Sequence, residues 1–291
     1  EILSGLVGSE MCIRDRRTTF YIIFELVVSM KPIAFLIVAC SASVAIPAYA
    51  GVSCEANSGV ATAALVELYT SEGCSSCPPA DKQLSQLKRQ VGAAAVIVPL
   101  ALHVSYWDAI GWKDPYAQKS FDQRQSQLLA NRKNRIVYTP QFFVNGNELR
   151  AWRTDLPGTI KDINSKAAPL GISLKTMSTD DNQFVITADV KPYAKPVSGA
   201  LYVALSESAL VSHVLRGENS GVSLQHDDTV RAWFGPIPLQ QGGAHLQQRI
   251  TLPLEWKRQH LQAVAFVQDD ASGNVSVSYT HLRAHETRED L

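Results

Sequence analysis

The pattern of apolar and polar positions changes character once along this chain. In the earlier stretch, short apolar runs alternate with polar, helix-compatible segments. Ala64–Thr70 predicts a strand, and residues 78–90 predict a helix with Leu84 and Leu87 on one face. Residues 94–104 form an almost continuous apolar run ending at His103, the mark of a strand buried on both faces and paired in parallel through a crossover helix. Residues 116–135 read as a helix. Residues 138–144 read as a strand stopped by Asn145-Gly146, a strong hairpin signal, with 148–152 returning. Residues 155–166 predict a closing helix with Pro157 in its first turn. From Gly171 onward the period becomes two, in runs at 172–175, 184–190, 200–205, 246–252 and 261–267. That alternation predicts a mainly antiparallel, sandwich-like β-domain over 169–275, after an α/β domain over 51–168.

The ends do not share these periods. Residues 5–16 and 277–290 resemble translated sequencing-adapter sequence, so 1–29 and 276–291 are expected to lie outside the fold. Between them and the first strand, Met30-Lys31, the apolar run Ile33–Val44 and Ala48-Tyr49-Ala50 fit a secretory signal peptide over 30–50, removed after Ala50. The expected location is secreted or periplasmic, with no membrane span in the mature chain.

Composition narrows the function classes. Lys+Arg and Asp+Glu are 27 each in 291 residues, and such a neutral balance argues against a nucleic-acid partner. Hydrophobic residues make up 46%, enough to build real cores. The expected mature chain keeps three cysteines: Cys54, Cys74 and Cys77. In an oxidising compartment an odd number leaves at least one free, intermolecular or redox-cycling.

The chemistry concentrates at Cys74-Ser75-Ser76-Cys77, between a predicted strand and a predicted helix. Unsatisfied N–H groups and the helix macrodipole at that place favour a thiolate, the nucleophile of disulfide exchange. A second thiol three residues on can resolve a mixed disulfide. Permanent bridging by so local a loop removes little chain entropy. In a right-handed β-α-β unit, His103 ends on the same sheet edge as Cys74. If the 138–144 strand runs antiparallel, Thr139-Pro140 begins on that edge too, and a cis bond there is expected. Cys74, Cys77 and Pro140 are thus the candidate catalytic residues, with Cys74 the more exposed sulfur. His103, Trp107, Asp108, Trp112 and Thr139 are the candidate substrate-lining residues. The polar stretch containing His213, Arg216, Glu218, Asn219, His226 and Asp227 reads as loop capping rather than a binding site.

Two resemblances follow from these motifs. Cys-x-x-Cys after a strand, with Thr139-Pro140-Gln141-Phe142-Phe143-Val144-Asn145-Gly146 downstream, resembles the thioredoxin superfamily and its cis-proline loop. The segments 68–81, 103–114 and 138–141, with Arg216-Gly217-Glu218-Asn219 and His226-Asp227, resemble a bacterial secreted family catalogued as domain of unknown function 1223. The resemblance implies a thioredoxin-like α/β domain followed by the β-sandwich-like one, and brings no established substrate. Ser105 stands where that family pattern has aspartate, which argues against an essential role at the position.

The expected function is an exported thiol–disulfide oxidoreductase acting on protein or peptide thiols, with a redox partner and no cofactor beyond the Cys74–Cys77 disulfide. Two alternatives stand beside it. One is a copper-handling protein of the cell envelope, using Cys74, Cys77 and His103. The other is a non-enzymatic envelope binding module.

Overall fold

The computed structural model describes residues 10–14, 52–130, 135–178, 182–269 and 271–283. The expected signal peptide, 30–50, lies outside the described residues. In chain order the elements begin with β1 (Glu10–Arg14), β2 (Val52–Asn57), β3 (Ala64–Thr70), α1 (Pro78–Val91), β4 (Ile97–His103) and α2 (Lys119–Ala130). Then come β5 (Gln141–Val144), β6 (Asn147–Glu148), α3 (Trp152–Asn164), β7 (Leu170–Ser178), β8 (Gln183–Pro192) and β9 (Ala200–Glu207). The chain closes with β10 (Leu210–His213), β11 (Ser223–His226), β12 (Thr229–Pro238), β13 (Ala244–Thr251), β14 (Leu261–Gln268) and β15 (Val275–Arg283).

The first half forms much as its pattern dictates. β3 and β4 pair in parallel across α1, and every residue of both strands is buried. β5 lies antiparallel to β3, with Tyr69 opposite Gln141. Asn145 and Gly146, at φ 44° and 77°, supply the two left-handed residues that a tight hairpin needs. The return strand is short, because helix α3 already starts at Trp152 and carries Pro157 in its interior.

The expected architecture, a thioredoxin-like domain followed by a separate β-sandwich, is not what the chain forms. Strands dominate, and the described residues hold only three α-helices. One eight-stranded mixed sheet, in the order β15-β14-β9-β12-β4-β3-β5-β6, takes strands from both halves. The seam is parallel pairing of β12 with β4 at Thr229 and Ala101, where the Ala101 N–H donates to the Asp228 carbonyl at 2.9 Å. A second sheet, β1-β2-β7-β8-β13, packs on the later strands, and β10-β11 form a two-stranded ribbon.

The physical reason lies in burial. The runs at 200–205 and 261–267 read as period-two strands of a sandwich-like domain. In the structure β14 is buried throughout and β9 nearly so. Leu201, Val203, Leu205, Leu261 and Ala263 face Phe184 and Ile186 of the second sheet. Ala204, Val264 and Phe266 turn the other way, into the core that Phe121, Leu128 and Leu129 of α2 fill together with Leu65 and Leu100. Helix α2 therefore covers strands of both halves. Val66, Leu68, Leu84, Leu87, Leu156 and Ile160 make a third core under α1 and α3.

Parts of the segments read as lying outside the fold are strands within it. β1 pairs with β2, with Cys12 in register with Cys54, and β15 pairs with β14 as far as Arg283. Cys54 is disulfide-bonded. Among the described residues no helix is long and apolar enough to cross a membrane.

Candidate functional site

Strand β3 delivers the chain to a turn at Ser71–Gly73, and α1 begins immediately after Cys77. Cys77 is the N-cap residue of that helix, and Pro78 occupies its first turn, where a missing N–H costs nothing. Cys74 and Cys77 are joined in a disulfide. The Cys77 N–H donates to the Cys74 carbonyl at 3.2 Å, and the Asp81 N–H donates to the Cys77 carbonyl at 3.1 Å. Both cysteines are fully buried, whereas Ser75 and Ser76 are exposed. The expectation that Cys74 is the more exposed sulfur is thus corrected. Ser76 Oγ sits 3.3 Å from Cys74 Sγ and, with the sulfur in a disulfide, is the donor of that contact.

What covers Cys74 comes from the far half of the chain. Asn219 Nδ2 donates to the Glu72 carbonyl at 2.8 Å and to the Cys74 carbonyl at 3.0 Å. The Ser75 N–H donates to Glu218 Oε2 at 2.9 Å, and this bond holds the Glu218 carboxyl below its usual range. The loop between β10 and β11 is therefore a cap over the disulfide. Two residues of the stretch read as loop capping, Glu218 and Asn219, bind the cysteine loop directly. His213 and Asp227 do satisfy local partners, Ser223 Oγ and the Ala209 N–H.

Beneath the cap lies a buried polar cluster. The fully buried Glu72 accepts Trp112 Nε1–H at 2.7 Å, and its second oxygen lies 3.0 Å from His226 Nε2. Asp114 Oδ2 accepts the Glu72 N–H at 2.9 Å and lies 2.7 Å from His103 Nδ1. Asp81, on the first turn of α1, accepts the Thr70 hydroxyl at 3.1 Å. Tyr116 stands edge-on to both imidazoles. Burial pulls the His103 pKa down, but the carboxylates of Asp114, Asp81 and Glu72 outweigh it and the net shift is upward. Burial alone would raise Asp114, yet the His103 ring and backbone N–H donors hold it below the ordinary carboxylate value. Asp81 is raised, chiefly by burial.

The other candidates fall in three groups. His103 is a buried cluster member rather than a groove-lining residue. Trp107 packs on Gly73, and Asp108 Oδ1 accepts the Asp114 N–H at 3.1 Å, so both hold the loop that carries Trp112 and Asp114. The Thr139–Pro140 bond is cis. The pairing of Tyr69 with Gln141 puts Pro140 at the end of β3 from which the chain leaves for Cys74. Thr139 Oγ1 is buried without a hydrogen-bond partner. Glu72, Asp81, Asp114 and Tyr116 were missed as site residues. The first three lie inside the quoted motif segments: Glu72 and Asp81 flank the Cys-x-x-Cys loop, and Asp114 ends the segment that begins at His103. His226 and Asn219 also lie in quoted segments, but only the return of β11 over α1 brings them to the cysteine loop.

In the disulfide state neither sulfur offers a thiolate, so a soft-metal site with His103 would require reduction first. The described residues contain no group of three or more His, Cys, Asp or Glu side chains arranged to hold a metal ion.

Comparison with known proteins places the chain. A family model described as "Protein of unknown function (DUF1223)" matches residues 65–268. The chain belongs to this DUF1223 family. The matched span includes the cysteine loop, the cluster and the cap together. Two solved structures share the fold. An Agrobacterium tumefaciens protein superposes with a TM-score of 0.57 at 22% identity, over 79% of this chain and 98% of that one. HBP35 of Porphyromonas gingivalis superposes with a TM-score of 0.60 at 15% identity, over 77% and 76%. No curated protein matches the chain.

Proposed function

We propose that this DUF1223 protein is an exported thiol–disulfide oxidoreductase whose working group is Cys74–Cys77, acting on thiols of proteins or peptides. The observation that carries the reading is a disulfide closed over three residues at the first turn of α1. So small a ring is a poor staple, and its place suits exchange, since helix N–H groups and the Ser76 hydroxyl stabilise a sulfur anion. A client dithiol attacks through one thiolate, forms a mixed disulfide with Cys74 and releases Cys77. The client's second thiolate then displaces Cys74. Two electrons and two protons pass from client to protein, and the reverse sequence oxidises the protein's dithiol.

The β10–β11 cap gates the step. Glu218 and Asn219 occupy the Ser75 N–H and the Cys74 carbonyl, the backbone groups an extended client would use. Client entry therefore needs that loop displaced. Residues 30–50 supply the export signal in this reading, and a separate redox partner resets the pair.

The test equilibrates the protein with a peptide carrying two cysteines, in reduced and disulfide forms, and counts alkylated thiols by mass spectrometry. Two-electron exchange is expected for the native protein; Cys74→Ser should abolish it, and Cys77→Ser should stop at a mixed disulfide with the peptide. A native disulfide that neither passes electrons to nor takes them from the peptide would overturn the reading.

A further inference from the structure

The cluster beside the cysteine loop holds more proton-binding atoms than it has partners for. Asp81 Oδ1, His103 Nε2 and His226 Nδ1 are all buried and unpartnered. They arrive on three different elements, α1, β4 and β11. The two imidazole centroids are 4.9 Å apart. Each ring commits one nitrogen to a carboxylate, His103 to Asp114 and His226 to Glu72, and leaves the other bare. A buried polar atom without a partner is costly, so three in one place point to something that binds there in another state of the protein.

We propose that His103 and His226, together with Asp81, form a proton-holding site coupled to the redox state of Cys74–Cys77. The proposal rests on the exchange reading above. A dithiol client gives up two electrons and two protons as it closes its own disulfide. The electrons break the Cys74–Cys77 bond. One proton goes to the Cys77 sulfur and the other to a bare imidazole nitrogen, leaving Cys74 as a thiolate. Oxidation returns the proton from the imidazole and the proton from Cys77.

Charge supplies the reason. The disulfide is neutral, and reduction adds a negative sulfur to a buried region that already contains three carboxylates. An uncompensated buried charge is costly, and a nearby imidazolium offsets it. The geometry puts the cluster on both chain sides of the disulfide. Glu72 stands two residues before Cys74, and the Asp81 N–H bonds the Cys77 carbonyl at 3.1 Å. The groups around the imidazoles are Glu72 from the turn after β3, Asp81 from α1, Asp114 and Tyr116 from the loop after β4, and Ser212 from β10, whose hydroxyl donates to Tyr116. Arg231 of β12 stands 5.1 Å from the Tyr116 ring and pairs with Glu207 instead.

The experiment uses the full chain carrying Cys77→Ser, which leaves Cys74 as a thiol without any reductant. Nuclear magnetic resonance follows the His103 ring in this variant and in the native disulfide form, and ultraviolet absorbance follows the Cys74 thiolate against pH. The His103 ring should titrate at higher pH beside the thiolate. By reciprocity, adding His103→Gln or His226→Gln should lower the thiolate fraction at neutral pH by about tenfold. A His103 titration that is the same in both forms overturns the proposal, and this comparison needs no histidine variant to fold. A thiolate titration unmoved by both glutamine substitutions in folded protein overturns it as well. If coupling is found but the peptide exchange fails, the oxidoreductase reading falls alone. If exchange is found without coupling, only the proton site falls.

Discussion

Glu67 and Glu72 come from one stretch of chain and are both fully buried, yet their surroundings differ in kind. Glu67 meets a permanent cation. Arg124 of α2 clasps it through Nε at 2.6 Å and Nη2 at 3.1 Å, and donates a third bond to Gln268 of β14 at 3.2 Å. The guanidinium also lies against the rings of Tyr202, Trp233 and Phe266 at 5.1, 4.5 and 5.2 Å. Glu72 meets titratable and neutral partners, an imidazole and an indole, and the imidazole keeps a bare nitrogen. An always-charged, multiply bonded partner makes a fixed joint. A partner whose charge depends on a proton makes a site that responds to its neighbours. The first group ties α2 to strands of both halves, and the second is joined to the cysteine loop through Glu72 and Asp81.

The joint is the place for the largest effect. Arg124→Met strands a buried carboxylate and should lower stability by about 3–5 kcal/mol, seen as a lower urea midpoint. Adding Glu67→Leu should recover much of that loss. A double variant as weak as the single would show that the aromatic stack around Arg124, not the ion pair, holds the joint.

Asn219→Ala opens the second group from above. It leaves the Glu72 and Cys74 carbonyls without that donor, which should cost about 1–2 kcal/mol. Its larger consequence is kinetic, since reduction of Cys74–Cys77 by a small dithiol should accelerate roughly tenfold as the cap opens more often. An unchanged rate with a lowered melting temperature would make the loop a brace rather than a gate.

The pH dependence of stability separates the groups further. Asp114 is held below its ordinary value, so its contribution is present above the unfolded carboxylate pKa and disappears as pH falls through the lower folded value. His103 is held above its ordinary value, so its contribution is complete below the unfolded imidazole pKa and is lost as pH rises through the folded one. Melting temperatures of the native protein should therefore decline at both ends of that window. His103→Gln should flatten the alkaline decline, and Asp114→Asn the acid one, while Arg124→Met should leave both slopes intact.

The smallest expected effect is at Ser76. Removing its hydroxyl in Ser76→Ala deletes one donor to Cys74 Sγ, and in the reduced protein the alkylation rate near neutral pH should fall by about threefold. A change confined to Cys77 would reverse the roles given to the two sulfurs.

Much of the local structure was legible in residue order. Ala64–Thr70 forms the expected strand to the residue, and α1 differs from expectation by one residue at its end. The cysteine pair at a strand-to-helix junction follows from the same pattern, as does the Asn145-Gly146 turn. Strand β12 escaped notice because it is half-exposed, bulged, and interrupted by Gly235-Pro236. No period of two survives such a sequence.

By itself the sequence determined many of the strands and helices and the place of the Cys-x-x-Cys pair, because these depend on spacing within a few residues. Only the tertiary structure decided that β12 joins β4, that β9 and β14 are covered on both faces, and that Asn219 and His226 return to the cysteine loop. Alternation tells a strand how many faces it must bury in its own register. It carries no information about which distant strand will lie beside it, since edge hydrogen bonds are offered by the backbone and are alike in every sequence.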